Sequence, residues 1–295
     1  MNNDIHDEIW VGTLLDGDAR WVVARTTDLV AEAQKRHQMA PVATAALGRL
    51  MTGALLLASS LKGEEGITIR LLGDGPLGGA VAVGNAQGEV RGYVHEPLLD
   101  LPLNKAGKLD VGRAVGRGEF AVSKSLENGE NYTSTVPMVS GEIAEDLVHY
   151  LLNSEQVPSA ALLGVLVEKD YHVAGAAGLL IQLLPGASEE SIGKIEQQIQ
   201  SLSQGISKIT AEGVSIEEIV QKLLGDLPYH VLEKRTARFQ CSCSKEKVGT
   251  TLISLGREGF KEILEDKKAE LICHFCNEHY YFNEEELIAL YEQAN

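Results

Sequence analysis

Positive charge is in short supply in this sequence: 26 lysines and arginines stand against 42 aspartates and glutamates, for a net charge of −16 over 295 residues. Phosphate binding is driven by lysine and arginine displacing counterions, so the balance argues against a nucleic-acid partner. The opening stretch Met1-Asn2-Asn3-Asp4-Ile5-His6-Asp7-Glu8 has neither a basic start nor an apolar core. It does not read as a secretory signal, and a cytoplasmic location is expected. The eight histidines show no metalloprotease spacing and no serine sits in a nucleophile elbow, so no enzyme activity is expected. Cysteine is scarcer still, with four in the whole chain and all of them near its end.

What is present reads as an α+β chain. Glu8 to Leu15 and Ala19 to Ala24 form a hairpin around Asp16-Gly17-Asp18, and Thr27 or Asp28 caps a helix reaching about His37. Pro41 opens a run of small and apolar residues to Leu61, long enough to suggest a membrane span. Arg49 in its middle would cost about 2.5 to 3.5 kcal/mol in lipid, so it is read as a buried core helix with no membrane partner. Strands follow at Ile67 to Leu72, Ala80 to Val83 and Glu89 to Val94. Between the first two, Gly73-Asp74-Gly75-Pro76-Leu77-Gly78 fits a dinucleotide fingerprint in letters only. A strand pattern, not a helix, comes after it, so it is read as a turn.

A second hairpin is expected around Asn128-Gly129, then a helix after Ser140 carrying Glu142, Glu145 and Asp146, then strands over Ala160 to Val167 and His172 to Leu184. Without regular strand-helix alternation, residues 1–185 are predicted to form a mixed-sheet core domain with one long buried helix. Residues 186–228 change character. Ile192, Ile195, Ile199, Leu202, Ile206 and Ile209 recur at helical spacing, and Ile216, Ile219, Val220 and Leu223 continue the stripe. This is an amphipathic linker arm expected to dock on the core domain. Gly193, Gly205 and Gly213 weaken its helices by about 1 kcal/mol each relative to alanine, so it is marginal alone.

Residues 229–295 form the third expected unit. Tyr229 to Gln240 leads in as an extended segment, two short helices and a cysteine knuckle follow, and Asn283-x-x-Glu286 is a capping box for a last helix. Cys241 and Cys243 share one face of an extended segment, while the two residues between Cys273 and Cys276 suit a tight knuckle. Four thiolates converging in this way form a tetrahedral set that favours one zinc ion. His274 and His279 are read as outside that set. So short a module buries little apolar surface and is expected to depend on the metal.

The first pair is Cys-x-Cys, and the gap to the second exceeds that of common four-cysteine ribbons. Phe239-x-Cys241-x-Cys243-Ser244 followed by Cys273-His274-Phe275-Cys276-Asn277 closely resembles the zinc centre of the heat shock protein 33 family, the redox-regulated bacterial holdases. Ala24-Arg25-Thr26-Thr27-Asp28, Ser154-Glu155-Gln156-Val157-Pro158-Ser159 and Ile181-Gln182-Leu183-Leu184-Pro185-Gly186 resemble that family's recurrent segments in the same order. The resemblance implies an ATP-independent chaperone, inactive when reduced and zinc-loaded and active as an oxidised dimer. Its partners would be unfolding client proteins during oxidative stress.

Sequence proximity makes Cys241 with Cys243, and Cys273 with Cys276, the expected disulfides of an oxidised form. A bridge across one residue is strained and easily reduced again, as a sensor needs. Arg238, Lys245 and Lys247 are expected either to draw in anionic oxidants or to be simply solvated. Two other readings compete. A zinc-ribbon regulator of nucleic acid conflicts with the acidic balance, and a thiol-disulfide oxidoreductase using Cys273 and Cys276 has no use for a second cysteine pair.

Overall fold

The structure, a computed structural model, describes residues 5–202 and 205–294. Met1 to Asp4, together with Ser203 and Gln204 of the expected arm, lie outside the described residues. The chain divides into two compact units, Met1–Gln240 and Cys241–Asn295.

The first unit is built on the run that begins at Pro41. It forms helix α2 (Pro41–Ala58), following α1 (Thr27–His37), and sixteen of its eighteen residues are buried. Its length and composition would let it cross a membrane, but its surface is covered by protein. Arg49, one of the two residues not buried, pairs with Glu142 at 2.6 Å, which explains a charge in the middle of a core helix.

Two sheets use this helix as their filling. The first has the order β10-β1-β2-β9-β8, from β1 (Glu8–Leu14), β2 (Ala19–Arg25), β8 (Ser159–Val167), β9 (Val173–Leu183) and β10 (Tyr229–Thr236), with every neighbouring pair antiparallel. The second has the order β11-β5-β4-β3-β6-β7, from β3 (Gly66–Gly73), β4 (Ala80–Asn85), β5 (Glu89–Val94), β6 (Gly118–Ser125), β7 (Asn131–Pro137) and β11 (Arg238–Phe239), the β11–β5 pair being parallel. Val22 and Leu180 from the first sheet, Leu50, Met51 and Leu55 from α2, and Ile69, Ala82 and Phe120 from the second belong to one apolar core. The fold is α+β with mixed sheet pairing, as the sequence pattern indicates.

Strand alternation gives the first sheet a second apolar face. Trp10, Trp21, Val23, Leu179 and Ile181 point away from α2 and pack with Ile195, Ile206, Ile209, Ile219, Val220 and Leu223. These come from the arm, which forms α5 (Glu189–Ser201), α6 (Ile206–Ala211) and α7 (Ile216–Leu224). The periodic isoleucines are thus the inner face of a helical cover on the sheet. Ser188 and Ser215 cap α5 and α7 by accepting from Ser191 N and Glu218 N.

Several local expectations shift. The amino end of α1 is capped over a long range: Thr26 is the boundary residue, its side chain makes no cap, and the Asp7 carboxylate accepts from Leu29 N at 2.7 Å. Glu142 precedes α4 (Ala144–Asn153) instead of lying in its first turn, and serves Arg49 and the Gly112 amide. Buried Asp146 takes the capping role, accepting from Val139, Ser140 and Ile143. The glycine-rich stretch at 73–78 is a turn that locks onto α3 (Val111–Val115): Gly75 N donates to Val115 O, and a Cβ on Gly75 would lie 2.4 Å from Ala114 O. Finally, Tyr229 to Phe239 is extended, as expected, but it joins the sheets of the first unit through β10 and β11. The division of the chain therefore falls after Gln240, where the sequence pattern suggested 229.

Candidate metal centre

The second unit starts at the cysteines. Cys241 and Cys243 lie in the irregular segment between β11 and α8 (Lys245–Ile253), and Ser244, itself extended, opens that helix by accepting from Lys247 N. Helix α9 (Gly256–Glu265) leads to a hairpin of β12 (Lys268–Ile272) and β13 (His279–Asn283), which carries Cys273 and Cys276 at its tip. The tip is a tight knuckle: Asn277 N donates to Cys273 O at 2.8 Å, Cys273 N donates to Glu278 O at 2.9 Å, and Asn277 takes φ of 56°. Asn283 and Glu286 make the reciprocal capping box of α10 (Glu284–Tyr291). Leu252, Phe260, Phe282 and Leu287 form the buried centre of this unit.

The four sulfurs converge, all within 4.8 Å of one another. Cys241 Sγ is 3.8 Å from Cys273 Sγ, and Cys243 Sγ is 3.3 Å from Cys276 Sγ. A soft ion held tetrahedrally at about 2.3 Å from each sulfur places the sulfurs about 3.8 Å apart. Four thiols at these separations, with Cys276 only 3% exposed, can hold a metal ion. His274 is exposed, and His279 Nδ1 pairs with Glu270 at 2.6 Å.

Burial raises the thiols of Cys241 and Cys276 above their ordinary range. Burial acts on Cys243 too, but hydrogen bonds from Tyr280 and the neighbouring cysteines outweigh it and draw this thiol down. The Tyr280 hydroxyl donates to Cys243 Sγ at 3.0 Å, and this bond pushes its own proton release up. Sequence reasoning did not single out Tyr280. Alternation along β13 carried a partial signal, since Tyr280 and Phe282 share the inward face while Tyr281 is 62% exposed.

The basic residues near the cysteines have partners. Lys245 Nζ meets Glu286 at 2.5 Å and lies over the Phe282 ring, Lys247 Nζ donates to Ser242 O, and Arg238 pairs with Glu89. Their placement gives them local structural work, and the idea that they draw in anionic oxidants gains no support from it.

Comparison with known proteins agrees with the residue-level resemblance. The family model described as Hsp33 protein matches residues 7–283. The "33 kDa chaperonin" of Bacillus subtilis (strain 168) is 47% identical over 281 residues, covering 95% of this chain and 96% of the relative. That of Listeria monocytogenes serovar 1/2a is 47% identical over 283 residues, with 95% and 96% covered. The crystal structure of the 33 kDa chaperonin (heat shock protein 33 homolog) from Thermotoga maritima superposes with a TM-score of 0.90 at 36% identity, over 97% of this chain and 98% of that one. With motifs, fold and both kinds of comparison in agreement, the chain belongs to the Hsp33 family.

Proposed function

We propose that this protein is a cytoplasmic, ATP-independent holdase chaperone switched by oxidation, without enzymatic turnover. In the reduced state Cys241, Cys243, Cys273 and Cys276 hold one zinc ion and the chaperone is inactive. The observation that carries the reading is the convergence of four sulfurs within 4.8 Å in a unit whose buried apolar cluster is, among the described residues, centred on Leu252, Phe260, Phe282 and Leu287. When bound, zinc supplies a four-thiolate cross-link worth roughly 10 to 16 kcal/mol of apparent binding free energy, comparable to the stability of a whole domain.

Peroxide-class oxidants release that cross-link. A thiolate sulfur attacks one peroxide oxygen, the O–O bond breaks, hydroxide departs, and the sulfur becomes a sulfenic acid having lost two electrons. A neighbouring thiolate then attacks this sulfur, forming S–S and expelling hydroxide, which solvent protonates. Sequence proximity assigns the bridges to Cys241 with Cys243 and Cys273 with Cys276. The 3.3 and 3.8 Å contacts join opposite pairs, so the neighbouring bridges require the knuckles to rearrange as they form.

Loss of the cross-link unfolds Cys241–Asn295, and the arm that precedes it along the chain loosens next. Its inner isoleucines and the sheet face of Trp10, Trp21, Val23, Leu179 and Ile181 then become apolar surface for unfolding client proteins, with the oxidised form acting as a homodimer. Arm composition supports this order, because Gly193 sits inside α5, where glycine weakens a helix, with nothing within 4 Å of its missing Cβ. Light scattering from a heat-unfolded client, with reduced and with peroxide-treated protein, tests the switch. Suppression by the oxidised protein alone is expected, and equal suppression by both states rejects it.

A further inference from the structure

The Tyr280 ring already has a role that needs no hydroxyl. It packs against the cluster of Leu252, Phe260, Phe282 and Leu287, and its position on β13 is fixed by pairing with Leu271 on β12. A phenylalanine would fill that space equally well. The hydroxyl instead reaches Cys243 Sγ at 3.0 Å, a direct O–H···S hydrogen bond.

We propose that Tyr280 is a positioning residue for Cys243, whose hydroxyl holds the sulfur toward the other three and lowers its reactivity toward peroxide. The bond draws lone-pair density from the sulfur, and that lone pair is what attacks the peroxide oxygen. Donors in the shell around metal-bound sulfur and nitrogen orient the ligands and tune their chemistry in the same way. The Cys243 sulfur is thus restrained by a side chain 37 residues further along the chain.

The inference rests on the redox reading above, and its test separates the two. Reduced, metal-loaded wild-type and Tyr280→Phe proteins are exposed to hydrogen peroxide, quenched by alkylation at intervals, and scored cysteine by cysteine by mass spectrometry. Oxidation of Cys243 is expected to be several-fold faster in Tyr280→Phe, with the alternative face control Tyr281→Phe behaving as wild type. Cobalt(II)-loaded Tyr280→Phe should also show its sulfur-to-metal charge-transfer band at lower energy, because the sulfur lone pair is no longer stabilised. A merely structural role for the ring would move neither readout.

Incorporation of 3-fluorotyrosine at position 280 covers the case in which Tyr280→Phe fails to fold. It keeps the shape and strengthens the donor, so Cys243 should oxidise more slowly than in wild type at a pH where the phenol remains protonated. Unchanged Cys243 rates and an unchanged cobalt band in folded variants overturn the role of Tyr280 while leaving the switch intact. Wild-type cysteines that resist peroxide altogether overturn the switch itself and this inference with it.

Discussion

Asp7 Oδ1 lies 2.6 Å from Arg25 Nη1, with both side chains less than a tenth exposed. The other Asp7 oxygen accepts from Leu29 N, so one carboxylate ties β1 to β2 and to the start of α1. Burial pushes its carboxyl up to about 7, against the lowering by the Leu29 amide and by Arg25. In the unfolded chain it titrates near 3.8, so between these values the folded state binds the extra proton. The contribution of Asp7 to stability is therefore full below about pH 4 and is lost as pH rises through about 7. Arg25 keeps Asp28 as a partner at 2.9 Å when Asp7 is protonated. Denaturant titrations at about pH 5 and pH 8 should differ by about 3 kcal/mol from this group, and Asp7→Asn should remove that difference. An identical pH slope in the two proteins contradicts the assignment.

Removing metal should act on one unit. A strong chelator with reductant is expected to strip about one zinc per chain and to abolish hydrogen-exchange protection in β12 and β13, while α2 stays protected. Metal analysis alongside exchange mass spectrometry reads both. Full protection of the hairpin in metal-free reduced protein would contradict the proposed dependence on the ion.

Phe260 is fully buried at the centre of the second unit. Phe260→Ala should cost about 3 to 5 kcal/mol, a large share of what so small a cluster can contribute. Weakening the unit in this way should mimic oxidation, giving measurable suppression of client aggregation under reducing conditions. A destabilised variant with no reduced-state activity would disconnect unfolding of this unit from the switch.

Gly193 is exposed within α5 and its Cβ position is empty. Gly193→Ala should stabilise the arm by up to about 1 kcal/mol without a clash. The variant is expected to need more peroxide, or a higher temperature, to reach half-maximal chaperone activity. A threshold that does not rise would show that the arm does not have to loosen.

Much of this architecture is legible locally. Asn128-Gly129 places the turn between β6 and β7, the Asn283-x-x-Glu286 pattern places α10, and the isoleucine spacing of the arm matches its buried face. The cysteine spacing brings the right four side chains together because a short extended pair and a knuckle are both local geometries. The features missed are those in which a side chain finds its partner through tertiary packing. Asp7 caps a helix 22 residues away, Arg49 reaches Glu142, and the Tyr280 hydroxyl meets Cys243. The pairing of Tyr229–Thr236 with β1 is of the same kind. Its outward residues, such as Leu232 at 68% exposed, look unpaired in sequence, while Tyr229 and Val231 pack on the apolar face and Lys234 lies over the Trp10 ring.

The sheet containing Val22 and Val23 is clad on both sides, by α2 on one and by the arm helices on the other. Shedding the arm would strip one cladding and leave a hydrogen-bonded platform braced from behind. Under the proposed switch, such a platform would keep the imprint of what it had lost, so a chain returned to its reduced state would re-cover itself without having to fold anew.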